Sequence, residues 1–183
     1  MIAIARASLT GLFLILTTAL AQAEKEYDPD AVNIVDAIDC KLDAPQYMGF
    51  SVTLSDEDGG FKKRGWKKQE SSNLLLSQYR LPSPIKIAGH ETSTIVFSAN
   101  AVLAVLDVAD PGELARQEKI PNSFPGSNKF LGERELINKS EKDQETGWTI
   151  TTRITRNIST VSSHPGKTLV GCSYDMNVKL PGE

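Results

Sequence analysis

Trp148-Thr149-Ile150-Thr151-Thr152-Arg153-Ile154-Thr155 is the most regular stretch of the chain. Trp148, Ile150, Thr152, Ile154 and then Ile158 fall on one side of an extended backbone. Thr149, Thr151, Arg153 and Thr155 fall on the other. A period of two means a strand with one face on a core and one in water. The sequence on either side repeats this theme. Lys129–Ile137 reads as the preceding strand, with a charged hairpin tip at Glu141–Thr146. His164-Pro165-Gly166 is a turn, and Leu169–Val178 is a last strand carrying Cys172, Tyr174 and Met176 on one face.

The middle of the chain is also β in pattern. Leu74–Leu81 is the apolar start of a strand, and Ile85-Lys86-Ile87 alternates. Pro82 and Pro84 place that piece at an edge or bend, because neither donates a ladder hydrogen bond. Gly89-His90-Glu91 is a turn. Thr94–Phe97 and Val102–Leu106 are consecutive strands, and the second is apolar throughout, which predicts burial on both faces. Short polar turns between neighbouring strands favour antiparallel pairing.

Helical signals are short. Asp30 caps a stripe of Ala31, Ile34, Val35 and Ile38. Asp110-Pro111-Gly112-Glu113 is a helix entry with Glu113 at the capping-box position. Residues 43–54 satisfy two templates at once. Asp43-Ala44-Pro45 opens like a helix, while Met48, Phe50, Val52 and Leu54 alternate like a strand. Asp56-Glu57-Asp58-Gly59-Gly60 breaks whichever element forms. The expected fold is α+β: an antiparallel sheet of about six strands, curled into a half-barrel, with two or three short helices. A β-sandwich is the alternative.

Composition bounds the function. The chain has 183 residues, 40% hydrophobic and 23% charged, which excludes a disordered or fibrous protein. Lys plus Arg is 20 against 23 Asp plus Glu, a net charge of −3. Nucleic-acid binders normally carry the opposite excess to neutralise phosphates.

The first 23 residues read as an export signal. Arg6 is the positive n-region, Leu9–Leu20 the apolar run, and Ala21-Gln22-Ala23 the small-x-small cleavage site. The run is too short to span a bilayer comfortably, and no later segment is long and apolar enough to do so. Cleavage leaves residues 24–183 as a single domain, periplasmic or secreted. Export also decides the two cysteines. Cys40 and Cys172, 132 residues apart, are expected to pair in an oxidising compartment. On the chain-entropy model such a loop stabilises by about 4–5 kcal/mol.

Catalytic signals are weak. The sequence has no G-x-S-x-G elbow, no S-x-x-K and no phosphate loop. His164, within Ser162-Ser163-His164-Pro165-Gly166, has the best setting for a base, but adjacent residues in a turn seldom align as nucleophile and base. His90 beside Glu91 would need ligands such as Asp107 or Asp110 to hold a metal. No cofactor or metal is expected. Asn138-Lys139-Ser140 and Asn157-Ile158-Ser159 match the glycosylation sequon.

One local charge anomaly remains. Lys62-Lys63-Arg64-Gly65-Trp66-Lys67-Lys68 places five bases and a tryptophan in an acidic chain. It could grip an anionic partner with Trp66 as anchor. The plain alternative is a solvated loop whose Trp packs on the domain. The function expected from all this is an exported, non-enzymatic binding protein with a protein partner. Its most concrete form is an inhibitor or immunity protein that neutralises an envelope-targeting toxin or hydrolase. A small secreted hydrolase using His164 or His90, and a periplasmic carrier of a small ligand, are the alternatives. Protein recovered from the producing cell is expected to begin at Glu24 and to resist alkylation until reduced, which intact mass spectrometry checks.

Overall fold

The computed structural model describes residues 27–55 and 59–182. The signal-peptide reading falls outside those residues. The expected alternating stretch forms β6 (Thr149–Ser159), flanked by β5 (Leu131–Lys142) and β7 (Thr168–Lys179). The earlier strands are β1 (Lys67–Gln69), β2 (Ser77–Ile87), β3 (His90–Phe97) and β4 (Ala101–Leu106). All seven join one antiparallel open sheet in the order β1-β2-β3-β4-β7-β6-β5. A single sheet replaces the sandwich alternative. The chain climbs β1 to β4, crosses to the far edge at β5, and returns so that β7 closes against β4.

Four short helices accompany the sheet among the described residues: α1 (Ile34–Ile38), α2 (Ala44–Ser55), α3 (Gly60–Lys63) and α4 (Gly112–Glu118). The ambiguous 43–54 segment is α2. The Asp43 carboxylate accepts from the Gln46 N–H at 2.7 Å, and the Gln46 side chain accepts from the Asp43 N–H at 3.1 Å. This reciprocal cap supplies the helix start that alternation obscured. The cap on α1 is Asn33, which accepts from the Val35 N–H at 2.9 Å; Asp30 belongs to a 3-10 turn before it. Pro111, not Asp110, is the N-cap of α4; Asp110 stands one residue earlier and accepts from the Gly112 N–H at 2.9 Å. Glu113 does not reach back to complete a capping box. Its carboxylate bonds Gln117 at 3.0 Å and Arg116 instead.

The core lies between the sheet and α1, α2 and α4. Ile38, Tyr47, Phe50 and Leu54 come from the helices, and Tyr79, Phe97, Val102, Ile154, Ile158 and Tyr174 from the strands. β4 is buried along its whole length, as its apolar run predicts. Val102, Ala104 and Leu106 face the helices. Ala101, Leu103 and Val105 join Val96 and Leu169 in a second cluster, with Val161 from the β6–β7 loop packed against it.

Cys40 follows α1 and is bonded to Cys172 on β7, with Cα atoms 5.2 Å apart. Cys172 stands opposite Arg156 on β6 and Val102 on β4. Next to Cys172, Gly171 lets β4 and β7 approach closely. A Cβ there would lie 2.0 Å from the Val102 carbonyl oxygen. Gly171→Ala must therefore push β4 and β7 apart at the centre of the sheet, and a loss of about 1–3 kcal/mol in denaturant unfolding is expected.

Candidate functional site

The basic run divides when the chain folds. Trp66 is only 7% exposed and its ring centroid is 6.1 Å from that of Tyr79 in the core. Arg64 lies over Phe50 and Trp66, at 4.9 and 5.4 Å from their centroids. Its guanidinium donates to the carbonyls of Val32 (2.8 Å), Asp30 (2.8 Å) and Pro29 (3.1 Å). Burial pulls its pKa down, opposed by the nearby Asp30 charge. Arg64 thus clamps the N-terminal segment to α3, and Trp66 fills space beneath it. Lys62, Lys63, Lys67 and Lys68 are the exposed members of the run. Lys63 reaches Asp30 at 3.5 Å. Lys67 and Lys68 lie on β1, opposite Arg80 and Tyr79.

Immediately beyond β1 the structure departs from the expected strand. β2 starts at Ser77, and residues 73–76 form a turn closed by Leu76 N–H to Asn73 O at 3.0 Å. The Asn73 side chain accepts from the Leu75 N–H at 3.0 Å, and the Asn73 N–H donates to Ser71 Oγ at 3.2 Å. With its amides engaged inside the turn, the segment cannot extend the ladder. Leu74 and Leu75 point outward, 99% and 82% exposed. A depression of about 230 Å³ lies beside Leu75, floored by Leu54, Tyr79 and Phe97 and rimmed by Ser51, Ser55 and Ser98. Another, of about 630 Å³, runs from Leu74 to Lys68 and Glu70. The leucine turn is a ridge between two hollows.

A second apolar surface lies at the other end of the sheet. β4 pairs with β7 only as far as Ser173, while β5, β6 and β7 continue together. Strand alternation gives this extension two faces. On the face continuous with Ile154 and Tyr174 stand Ile137, Met176, Ile150 and Val178, with Trp148 and Leu180 at the end. Tyr174 is covered by Tyr47 of α2, stacked at 4.4 Å between centroids. Beyond it Ile137, Trp148, Met176, Val178 and Leu180 are each 38–49% exposed. Lys139 and Glu141, paired at 3.1 Å, line the β5 border. The opposite face is polar: Arg153 pairs with Glu135 at 3.0 Å and with Glu133 at 2.5 Å, and Ser140 meets Thr151 at 2.8 Å. Trp148 and the alternating residues of β7 signalled this face in the sequence, but its exposure depends on where β4 ends.

The histidines are placed apart. His90 is exposed at the start of β3. Among the described residues no three His, Cys, Asp or Glu side chains converge on a metal-sized site. His164 sits in the β6–β7 loop, with Nε2 2.9 Å from Gln78 Oε1 and Nδ1 3.0 Å from Ser163 Oγ. Gln78 donates its own amide to Gln69 at 3.0 Å, so its oxygen accepts. The proton is thereby assigned to Nε2, and Nδ1 accepts from the Ser163 hydroxyl. Ser and His do align across adjacent positions, but the third member is a neutral amide, which cannot balance an imidazolium charge. This arrangement latches the loop across the second apolar cluster. Of the two sequons, Asn157 donates its amide to Ser173 Oγ at 2.6 Å inside the sheet, while Asn138 is exposed on β5.

No protein-family model matches the chain, and neither a curated protein nor a solved structure matches it.

Burial lowers the His164 pKa below its ordinary 6.5. The unfolded chain then takes up a proton before the folded one, so stability is full above the ordinary imidazole pKa and falls as pH drops through the lowered one. Thermal unfolding from about pH 7.5 to pH 5 is expected to show this loss, with a smaller loss in His164→Asn.

Proposed function

We propose that this protein is an exported binding module that works by protein–protein contact. In its most concrete form it is an inhibitor or immunity protein that covers the active site of an envelope-targeting toxin or hydrolase. The observation that carries the reading is the apolar face of the β5–β7 extension. It is three strands wide, open, and anchored at one end by Trp148, with charged residues confined to its border. Tryptophan with aliphatic neighbours inside a polar rim is the composition of an interface centre. A contiguous apolar patch of this kind on a monomer is normally covered by something.

Three further features fit. The leader-like N-terminus directs the chain to the periplasm or the medium. The Cys40–Cys172 bond suits an oxidising compartment. The sheet, which we read as a half-barrel curled around α1, is a rigid frame, and rigid frames bind with little ordering cost. The exposed lysines of the basic run would steer an acidic partner toward the molecule.

Affinity-tagged mature protein is expected to co-purify with one stoichiometric partner from the envelope fraction of its own cells. That partner should lose activity when the purified protein is added back. Met176→Asp with Val178→Asp should reduce capture at least about tenfold while leaving the circular dichroism unchanged. Recovery of no stoichiometric partner, or capture indifferent to those changes, ends this reading.

A hydrolase reading rests on the Ser163–His164–Gln78 chain alone. It requires esterase or related activity in the parent protein that disappears in both Ser163→Ala and His164→Ala.

A further inference from the structure

The Asn73–Leu76 turn is built differently from the sheet face and calls for a different partner. It offers two large apolar side chains on a narrow ridge, with Leu74 exposed over nearly its whole surface. Two leucines make a small core for a protein interface, whose centre normally holds a cluster of buried anchors. They suit a lipid surface, where apolar side chains sink below the headgroups and neighbouring cations meet phosphates.

Charge singles out that occupant. From Gly59 to Leu76 the chain carries Lys62, Lys63, Arg64, Lys67 and Lys68 against the lone acid Glu70, although its net charge is −3. Arg64 is turned inward on backbone carbonyls and Lys63 is paired with Asp30 at 3.5 Å, so Lys67 and Lys68, on opposite faces of β1, supply the charge next to the turn. Lys68 and Leu74 border the same hollow, with Glu70 between them in sequence. The ridge is also held in shape before any partner arrives. Asn73 accepts from Leu75 and, through its carbonyl, from Leu76, each at 3.0 Å. A preformed tip loses little conformational freedom when it inserts.

We propose that the Asn73–Leu76 turn docks the protein on an anionic phospholipid surface. Leu74 and Leu75 enter the boundary of the acyl chains, and Lys68, on the rim of the hollow beside Leu74, meets the headgroup phosphates. The sheet face of β5–β7 lies elsewhere on the molecule and stays available to a protein partner. The lysines contribute charge to both contacts, so the leucine changes and the β7 changes, rather than the lysine change, separate the two sites.

Sedimentation of the mature, disulfide-bonded protein with large unilamellar vesicles tests the proposal. Vesicles of phosphatidylcholine containing phosphatidylglycerol should carry the protein down, and pure phosphatidylcholine should carry much less. Binding should weaken as sodium chloride is raised, because the lysine contribution is screened. Leu74→Asp with Leu75→Asp should lower vesicle affinity at least about tenfold. Lys68→Glu should lower it and flatten the salt dependence. All three positions are exposed, and circular dichroism and the intact disulfide confirm that each variant folds. The proposal is overturned if the mixed vesicles leave the protein in solution at low salt, or if the leucine changes do not alter binding. It is equally overturned if the leucine variant loses an envelope protein partner while the parent ignores vesicles, since the turn then belongs to a protein interface. Met176→Asp with Val178→Asp should leave vesicle binding unchanged, which separates this outcome from any failure of the sheet face.

Discussion

The C-terminal end of α1 is fastened to the sheet at three successive places, and the rest of the molecule is arranged around that attachment. The Tyr174 hydroxyl donates to the Ala37 carbonyl at 2.7 Å. The Arg156 guanidinium donates to the Ile38 carbonyl at 2.6 Å. Cys40 is bonded to Cys172. Two of these contacts give donors to carbonyls of the last helical turn, where Ala37 also accepts from the Cys40 N–H at 3.3 Å. Arg156 is 5% exposed, so its charge also needs partners. It has Glu118 at 3.0 Å, just inside the end of α4, and Asp39 at 3.4 Å. One side chain on β6 therefore ties the ends of two helices to the sheet. Removing Glu118 or Asp39 leaves the buried Arg156 guanidinium short of a partner, which is destabilising.

The same fastening holds the crossover from β4 to β5 against the sheet. α4 lies within this connection, and its last turn is held by Arg156 and by Arg134, which donates to the Glu118 carbonyl at 2.9 Å. With α4 fixed, β5 can start at Leu131 and run the full length of β6. β5–β7 then outrun β4, and among the described residues no helix covers their far ends. The open apolar face is thus a consequence of strand length: three strands of eleven or twelve residues stand beside one of six.

Much of this is legible in the sequence where a single period dominates. Alternation from Trp148 to Ile158 marks β6, and the unbroken apolar run marks β4 as covered on both faces. The same parity places Arg156 inward between Ile154 and Ile158, a position that a search for apolar residues passes over. Residues 43–54 mislead because Met48 and Val52, the residues that make the strand-like alternation, end up exposed on α2. The helix is decided by the Asp43–Gln46 cap and by Tyr47, Phe50 and Leu54 at helical spacing. Leu74-Leu75-Leu76 misleads in the opposite sense. Hydrophobicity alone reads it as buried strand, but Asn73 and Ser71 draw the backbone into a turn and leave two leucines in water. In the basic run, composition reveals the charge but not its division into an inward Arg64 and outward lysines. That division depends on the carbonyls of residues 29–32, more than thirty positions away.

The edges of the sheet bear on how the exposed apolar surfaces should be understood. A sheet with free edges invites pairing with other chains, and natural sequences block it with prolines, bulges and charge. Both edges here carry such devices. β1 covers only the start of β2, and the uncovered stretch holds Pro82 and Pro84. β5 has a register shift between Glu135 and Ile137, and then Lys139, Glu141 and Lys142. These devices hinder strand-to-strand pairing at both edges. The same molecule exposes Leu74, Leu75 and the apolar side chains of the β5–β7 extension. With the backbone edges guarded, any association through these apolar side chains proceeds by packing on a face or a turn rather than by adding a strand to the sheet.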